Sequence, residues 1–89
     1  MKIEKKEVQG THRQGTLRGV TVEKIKEVLG FAANFADDKD KVENSWKFTV
    51  DGKECGIWDY KGSHRYGQFS YYGPAEVFVA LFGENARPE

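Results

Sequence analysis

The stretch from Trp58 to Tyr72 reads Trp-Asp-Tyr-Lys-Gly-Ser-His-Arg-Tyr-Gly-Gln-Phe-Ser-Tyr-Tyr and holds six of the twelve aromatic residues of the chain. Lys61, His64 and Arg65 lie between those rings, beside the small residues Gly62 and Ser63. Aromatic faces stack on planar rings and cationic tips neutralise attached phosphate, so this mixture suits a nucleotide or a short nucleic-acid segment. A hydrophobic core alone has no use for Asp59, Lys61 and Arg65 so close to the rings. Burial is the competing use of the aromatics, since each ring removes roughly 150–250 Å² from water. Phe69 and Tyr71 or Tyr72 are therefore expected in or beside the core, and Trp58, Tyr60 and Tyr66 at a surface.

Asp59 and Lys61 stand two apart, so on a strand they point the same way. An acid can hold a metal there while a lysine activates water. Glu43 is the nearest second acid by hairpin pairing, and the uncharged Asn44 falls opposite Asp59. The string Ile57-Trp58-Asp59-Tyr60-Lys61-Gly62-Ser63 resembles the catalytic strand of metal-dependent nucleases of the RecB type, within the restriction-endonuclease-like group. That resemblance implies a metal on Asp59 and a water-activating role for Lys61. It covers seven residues, and the family also requires an acid on the preceding strand and a larger α/β core. The other use of Asp59 is structural, as a cap on the following turn or a partner of Lys61 or Arg65. On balance the reading assigns no catalytic residue, metal or cofactor.

The remaining reactive groups are sparse. His12 and His64 are far apart, and neither has further metal ligands at a usable spacing. Both are expected to be exposed loop histidines, neutral or donating one hydrogen bond to a ligand. Cys55 is the single cysteine. It excludes an internal disulfide, fits a reducing compartment and reads as a small buried hydrophobe. The run Asp37-Asp38-Lys39-Asp40-Lys41 lacks the central glycine and closing glutamate of a calcium loop, which leaves a solvated turn. Gly10, Gly15 and Gly19 punctuate a flexible loop or a short strand at Thr16–Val20 and lie beside Thr11, His12 and Arg13, where backbone amides approach phosphate most easily, but their spacing matches no phosphate-loop fingerprint.

The elements that must carry these groups are legible in outline. Trp46, Phe48 and Val50 alternate with Lys47 and Thr49, and Asp51-Gly52 is the two-residue turn that hairpins prefer. That turn sets Val50 opposite Lys53, Phe48 opposite Cys55 and Trp46 opposite Ile57, all on one core-facing side. The other side then holds Lys47, Thr49, Glu54, Gly56, Trp58 and Tyr60. Gly56 opposite Lys47 leaves an open spot beside Trp58. A third strand is expected over 67–72, after a turn at Gly62-Ser63-His64-Arg65.

Thr21 is placed to cap a helix, Val22, Ile25 and Leu29 recur at helical spacing, and Gly30 stops it. Gly73-Pro74 opens a second helix with the apolar stripe Ala75, Phe78 and Phe82, ended by Gly83. Ile3–Val8 alternates weakly and carries many charges, as an edge strand does. The core set is Ile3, Val22, Ile25, Leu29, Phe31, Phe48, Cys55, Ile57, Phe78, Leu81 and Phe82.

Eighty-nine residues make one domain. We divide it into an edge strand and glycine-rich loop over 1–20, an α-β-β-β-α core over 21–83 and a frayed tail over 84–89. The expected class is α+β: an antiparallel meander of three to four strands with two short helices packed on one face. Fourteen basic residues balance fourteen acidic ones, which argues against a generic coat for duplex DNA. Residues 1–30 carry seven basic and four acidic groups, so any anion-binding face is local. The charged start and the lack of a long apolar run predict no leader, no membrane span and a cytoplasmic location.

Leu29-Gly30-Phe31, Lys41-Val42, Ser45-Trp46, Trp58-Asp59-Tyr60-Lys61-Gly62-Ser63, Ser70-Tyr71-Tyr72-Gly73-Pro74 and Leu81-Phe82-Gly83 together resemble small uncharacterised proteins encoded by bacteriophages. The resemblance implies an accessory or anti-defence protein of the host cytoplasm, one that sequesters a host nucleotide signal or plugs a host enzyme. The sequence thus points to a non-enzymatic binding module for a nucleotide or short nucleic acid. Trp58, Tyr60 and Tyr66 stack on bases, and Lys47, Lys61 and Arg65, with Arg13 or Arg18, contact phosphate. Ser63 and His64 supply further polar contacts beside Gly62. The alternative from another class is an inhibitor or adaptor that docks the same aromatic patch on a host protein. A homo-oligomer would complete the pocket of so small a domain.

Overall fold

A computed structural model describes residues 1–7, 12–33, 44–59 and 62–88. In chain order the elements are β1 (Ile3–Lys5), β2 (Gly15–Arg18), α1 (Val22–Leu29), β3 (Ser45–Val50), β4 (Lys53–Trp58), β5 (Gln68–Tyr72), α2 (Ala75–Phe82) and β6 (Ala86–Pro88). Short 3-10 turns at Ser63–Tyr66 and Gly83–Asn85 link the later elements. The Asp37–Lys41 run, Glu43 and Val8 lie outside the described residues.

The class is α+β, but the sheet has six antiparallel strands, in the order β1-β3-β4-β5-β2-β6, where three to four were expected. The expected meander is its centre, β3-β4-β5. One addition falls where a loop or a short strand at 16–20 was expected, the other in the segment read as a tail. Gly15–Arg18 pairs along β5, and residues 86–88 pair with β2 instead of fraying. Ala86 is buried opposite Leu17, and that contact holds the carboxyl-terminal edge in place.

The hairpin forms in the expected register, from Val50 opposite Lys53 to Ser45 opposite Trp58. Its cause is local. Asp51 and Gly52 have φ of 51° and 83°, the paired left-handed conformation whose twist matches two antiparallel strands. The Asp51 carboxylate accepts from Lys2 N at 2.7 Å and Asp51 N donates to Lys2 O at 2.8 Å, which fastens the edge strand β1 to the turn. At α1, Thr21 Oγ1 accepts from Lys24 N at 3.0 Å and Gly30 N donates to Lys26 O at 2.8 Å, so the expected cap and stop both form.

Both helices contribute to one core on one face of the sheet. Phe31, just past α1, and Phe78 of α2 each meet Phe48 edge-on. Ile25, Leu29, Phe48, Cys55, Ile57, Phe78 and Phe82 of the expected core are buried, while Ile3, Val22, Phe31 and Leu81 are partly buried against it. Leu17, Val20, Trp46, Val50, Phe69, Tyr71, Val77 and Ala86 complete the core. Trp46 donates its indole N–H to Phe31 O at 3.1 Å, which satisfies the one polar atom of that buried ring.

Cys55 sits in this core beneath Phe78 and Gly73, and its thiol donates to Lys53 O at 3.5 Å. Burial pushes the thiol up to about 11, against smaller downward pulls from Lys53 and a backbone hydrogen bond of Val50. A thiol that ionises at about 9.0 when unfolded and about 11 when folded favours the folded chain below pH 9. That contribution fades as pH rises through 11, because the unfolded chain gives up its proton first. The stability difference between the parent and Cys55→Ala should therefore shrink by about 2 kcal/mol from pH 8 to pH 11 in urea titrations. Parallel pH profiles for the two proteins would show that the thiol is not desolvated.

Candidate functional site

The helices leave the other face of the sheet uncovered by either of them. Alternation places Ser45 and Lys47 of β3, Gly56 and Trp58 of β4, and Ser70 and Tyr72 of β5 on that side. Two rows run across the strands. In one, Ser45, Trp58, Ser70, Thr16 and Arg87 are successive partners, so an indole stands between two serines and the row ends in a guanidinium. In the other, Lys47, Gly56 and Tyr72 are successive partners.

Small residues make the bed on which the indole lies. Ser45, Gly56 and Ser70 are buried while Trp58 itself is half-exposed. The benzo edge of Trp58 is 3.9 Å from where a side chain on Gly56 would begin, so the indole leans over the glycine toward Lys47 and Tyr72. Arg18 adds a second exposed cation on the same face, opposite Gln68. The next row, Glu4, Thr49 and Glu54, is acidic at both ends. A ligand carrying phosphate is thus steered away from it, toward Lys47, Arg18 and Arg87.

At the end of β4 the chain turns through a fixed point. Asp59 is fully buried. Asn44 N donates to its Oδ1 at 2.8 Å and Asn44 Nδ2 to its Oδ2 at 3.0 Å, while the backbone N–H of Asp59 returns to Asn44 O at 3.1 Å. His64 Nδ1 pairs with Oδ2 of the same carboxylate. His64 is therefore no exposed loop histidine: its side chain is only 20 % accessible. The reason is the reversal at Gly62, which brings position 64 back beneath the strand end. His12, in contrast, is exposed as expected.

The other expected site residues are spread around this turn. Arg65 folds its guanidinium back to within 3.4 Å of a side-chain position on Gly62, Ser63 is half-buried, and Tyr66 is 80 % exposed. Tyr60 and Lys61 lie outside the described residues. The structure thus brings Trp58 and Lys47 together over Gly56, and separately joins Asp59 to His64. Phe69 and Tyr71 belong to the core, and Tyr72 joins the open face. Tyr72 went unassigned because the pair Tyr71-Tyr72 fits either register until the partners of β5 are known.

Two open clefts border the face beyond Tyr72. One, of about 380 Å³, is lined by Gln14, Lys53, Glu54, Tyr72, Gly73 and Pro74. The other, of about 490 Å³, shares Gln14, Gly73 and Pro74 and continues to His12 and Arg13. Gln14 separates them, fixed by a hydrogen bond from Gly73 N to its Oε1 at 3.0 Å. Among the described residues no three His, Cys, Asp or Glu side chains gather as a metal site requires, and no helix is long and apolar enough to cross a membrane. Comparison with known protein families, curated proteins and solved structures returns no match.

Proposed function

We propose that this protein is a non-enzymatic binding module for a nucleotide or a short single-stranded nucleic acid, held on the open face of its sheet. The observation that carries the reading is the pair of rows in which Trp58 stands between Ser45 and Ser70 and leans over Gly56, the strand partner of Tyr72 and Lys47, with Arg18 and Arg87 on the same face. Bases stack on exposed aromatic faces of a sheet without needing a deep pocket, and peripheral cations take the phosphates. The resemblance to phage proteins supports an accessory or anti-defence role in which such a module sequesters a host signal. The nuclease alternative asks Asp59 to hold a metal, yet that carboxylate is sealed from solvent and receives Asn44 on both oxygens.

Titration with mono-, di- and cyclic nucleotides and short oligonucleotides, followed by tryptophan fluorescence, tests the proposal. Trp46 is buried, so Trp58 supplies the ligand-sensitive signal. Trp58→Ala, which lacks the reporting indole and is therefore followed by isothermal titration calorimetry alongside the parent, should weaken binding by about tenfold or more, as loss of one stacking ring does. Affinity should also fall steeply with added salt. Binding that survives Trp58→Ala unchanged would remove the site. Capture of a host protein through the same patch, insensitive to salt, would replace the nucleic-acid reading with the inhibitor or adaptor.

A further inference from the structure

We infer that the outward face of α2 is a self-association surface, on which a second copy of this chain docks its own α2 antiparallel about a two-fold axis. The inference is independent of the binding reading, because α2 packs on the core side of the sheet, away from the open face.

The other helix supplies the contrast. α1 and α2 have eight residues each and bury their inner sides in the same core. The outward positions of α1 are Glu23, Lys24, Lys26 and Glu27, all exposed, as a helix bordered by water requires. α2 carries one charged residue, Glu76, among its eight. With Val77, Phe78 and Phe82 buried, its outward stripe at helical spacing is Glu76, Val79 and Ala80, continued by Gly83 just past its end. Val79 is 47 % accessible, and a side chain on Gly83 would meet nothing within 4 Å. A helix apolar on both sides needs cover on both, and here the outer side has none within the chain.

Charge selects the occupant and its direction. Lys53 Nζ lies 3.8 Å from Glu76 Oε1 beside the first turn of α2, while Glu84 is exposed beyond its last turn. Ala80 stands midway between positions 76 and 84. An antiparallel copy centred on Ala80 puts the two Val79 side chains at the crossing and brings each Glu84 to the first turn of the other helix. Each Lys53 then stands between two carboxylates, one from either chain. A parallel pair would instead oppose Glu84 to Glu84. Exposed ion pairs contribute little, so Val79 supplies the attraction and Lys53 the orientation. A helix this short covers far less than the roughly 800 Å² per partner of a standard interface, so the dimer is weak and reversible. Both open faces point away from the joint, a different use of the second chain from the pocket completion expected above.

Sedimentation equilibrium of the full chain, from about 10 μM to about 1 mM, should show a reversible monomer–dimer equilibrium. Val79→Asp should weaken it at least about tenfold with an unchanged circular dichroism spectrum. Lys53→Glu should weaken it by a similar factor. The double variant Lys53→Glu/Glu84→Lys should return to within about threefold of the parent, because the swap restores opposite charges across the axis. Trp58→Ala should dimerise as the parent does. A parent that remains monomeric at about 1 mM, a folded Val79→Asp protein that dimerises like the parent, or a charge swap without recovery would overturn the inference and leave the open face untouched.

Discussion

Gly15→Ala should destabilise the domain by about 3–4 kcal/mol, enough to lower the melting temperature by roughly 15 °C or more. A side chain at position 15 would begin 2.4 Å from Cζ of Tyr71, 2.5 Å from its hydroxyl oxygen and 2.6 Å from Cε2. The ring has nowhere to retreat. Tyr71 is fully buried and stacks on Phe78 with centroids 4.0 Å apart, and Phe78 itself abuts Phe48 and Phe82. Either the strand pair β2–β5 opens to admit the methyl group or Tyr71 leaves the core. Gly52→Ala is the matching control. It has positive φ but nothing within 4 Å, so only the backbone strain of about 1–2 kcal/mol applies. Adding Tyr71→Leu to Gly15→Ala should recover part of the loss, a coupling that urea denaturation of the four proteins measures. A Gly15→Ala protein within 1 kcal/mol of the parent would show that the ring and the strand do not press on each other in this way.

The same glycine shows where the sequence stops being informative. Gly10, Gly15 and Gly19 together look like loop punctuation, and nothing local says that Gly15 lies under a tyrosine 56 positions later. Central strands were readable because their pattern is local. Asp51-Gly52 fixes the hairpin, the hairpin fixes which of Ile57 and Trp58 faces inward, and α1 carries its own start, stripe and stop. Strand β6 was not readable: Ala86-Arg87-Pro88 has one apolar side chain and a proline, and its partner is about seventy residues away. Edge strands of this kind are specified by the partner they complete, and short charged or proline-containing edges also resist pairing with other chains.

The candidate site divides along the same line. Trp58 and Lys47 were placed on one face from the register alone, and the open spot at Gly56 followed from it. Tyr72, Gln14 and the two clefts depend on how β5 and β2 meet, which is a long-range fact. The Asp59–His64 pair needed knowledge of a chain reversal, since the four residues between them fit either an open or a closed loop. The aromatic stretch was legible as divided between core and surface, and it divides with Phe69 and Tyr71 buried, Trp58 and Tyr72 half-buried and Tyr66 exposed.

Asp59→Ala should cost about 3–5 kcal/mol, because it removes a fully buried carboxylate on which several donors converge. Asn44 N, Asn44 Nδ2 and the His64 ring all converge on it. Asp59→Asn keeps the shape but turns an NH₂ group toward Asn44 or His64 and removes the charge, with an expected loss of about 2–3 kcal/mol. Asn44→Ala keeps its backbone N–H on Oδ1 and should be milder than Asp59→Ala, and the Asn44→Ala/Asp59→Ala pair should be non-additive, since both remove the bond from Asn44 Nδ2 to Oδ2. Chemical denaturation and hydrogen exchange over residues 62–66 would report the loss of the anchor directly. The result separates two roles for this residue. A metal-holding acid can be replaced by asparagine with the fold intact and cleavage lost, whereas an anchor cannot be replaced without loosening the turn. Loosening that turn also frees the strand end that carries Trp58, so ligand affinity should fall together with stability in every Asp59 variant. An Asp59→Ala protein as stable as the parent would mean that the buried carboxylate holds nothing in place.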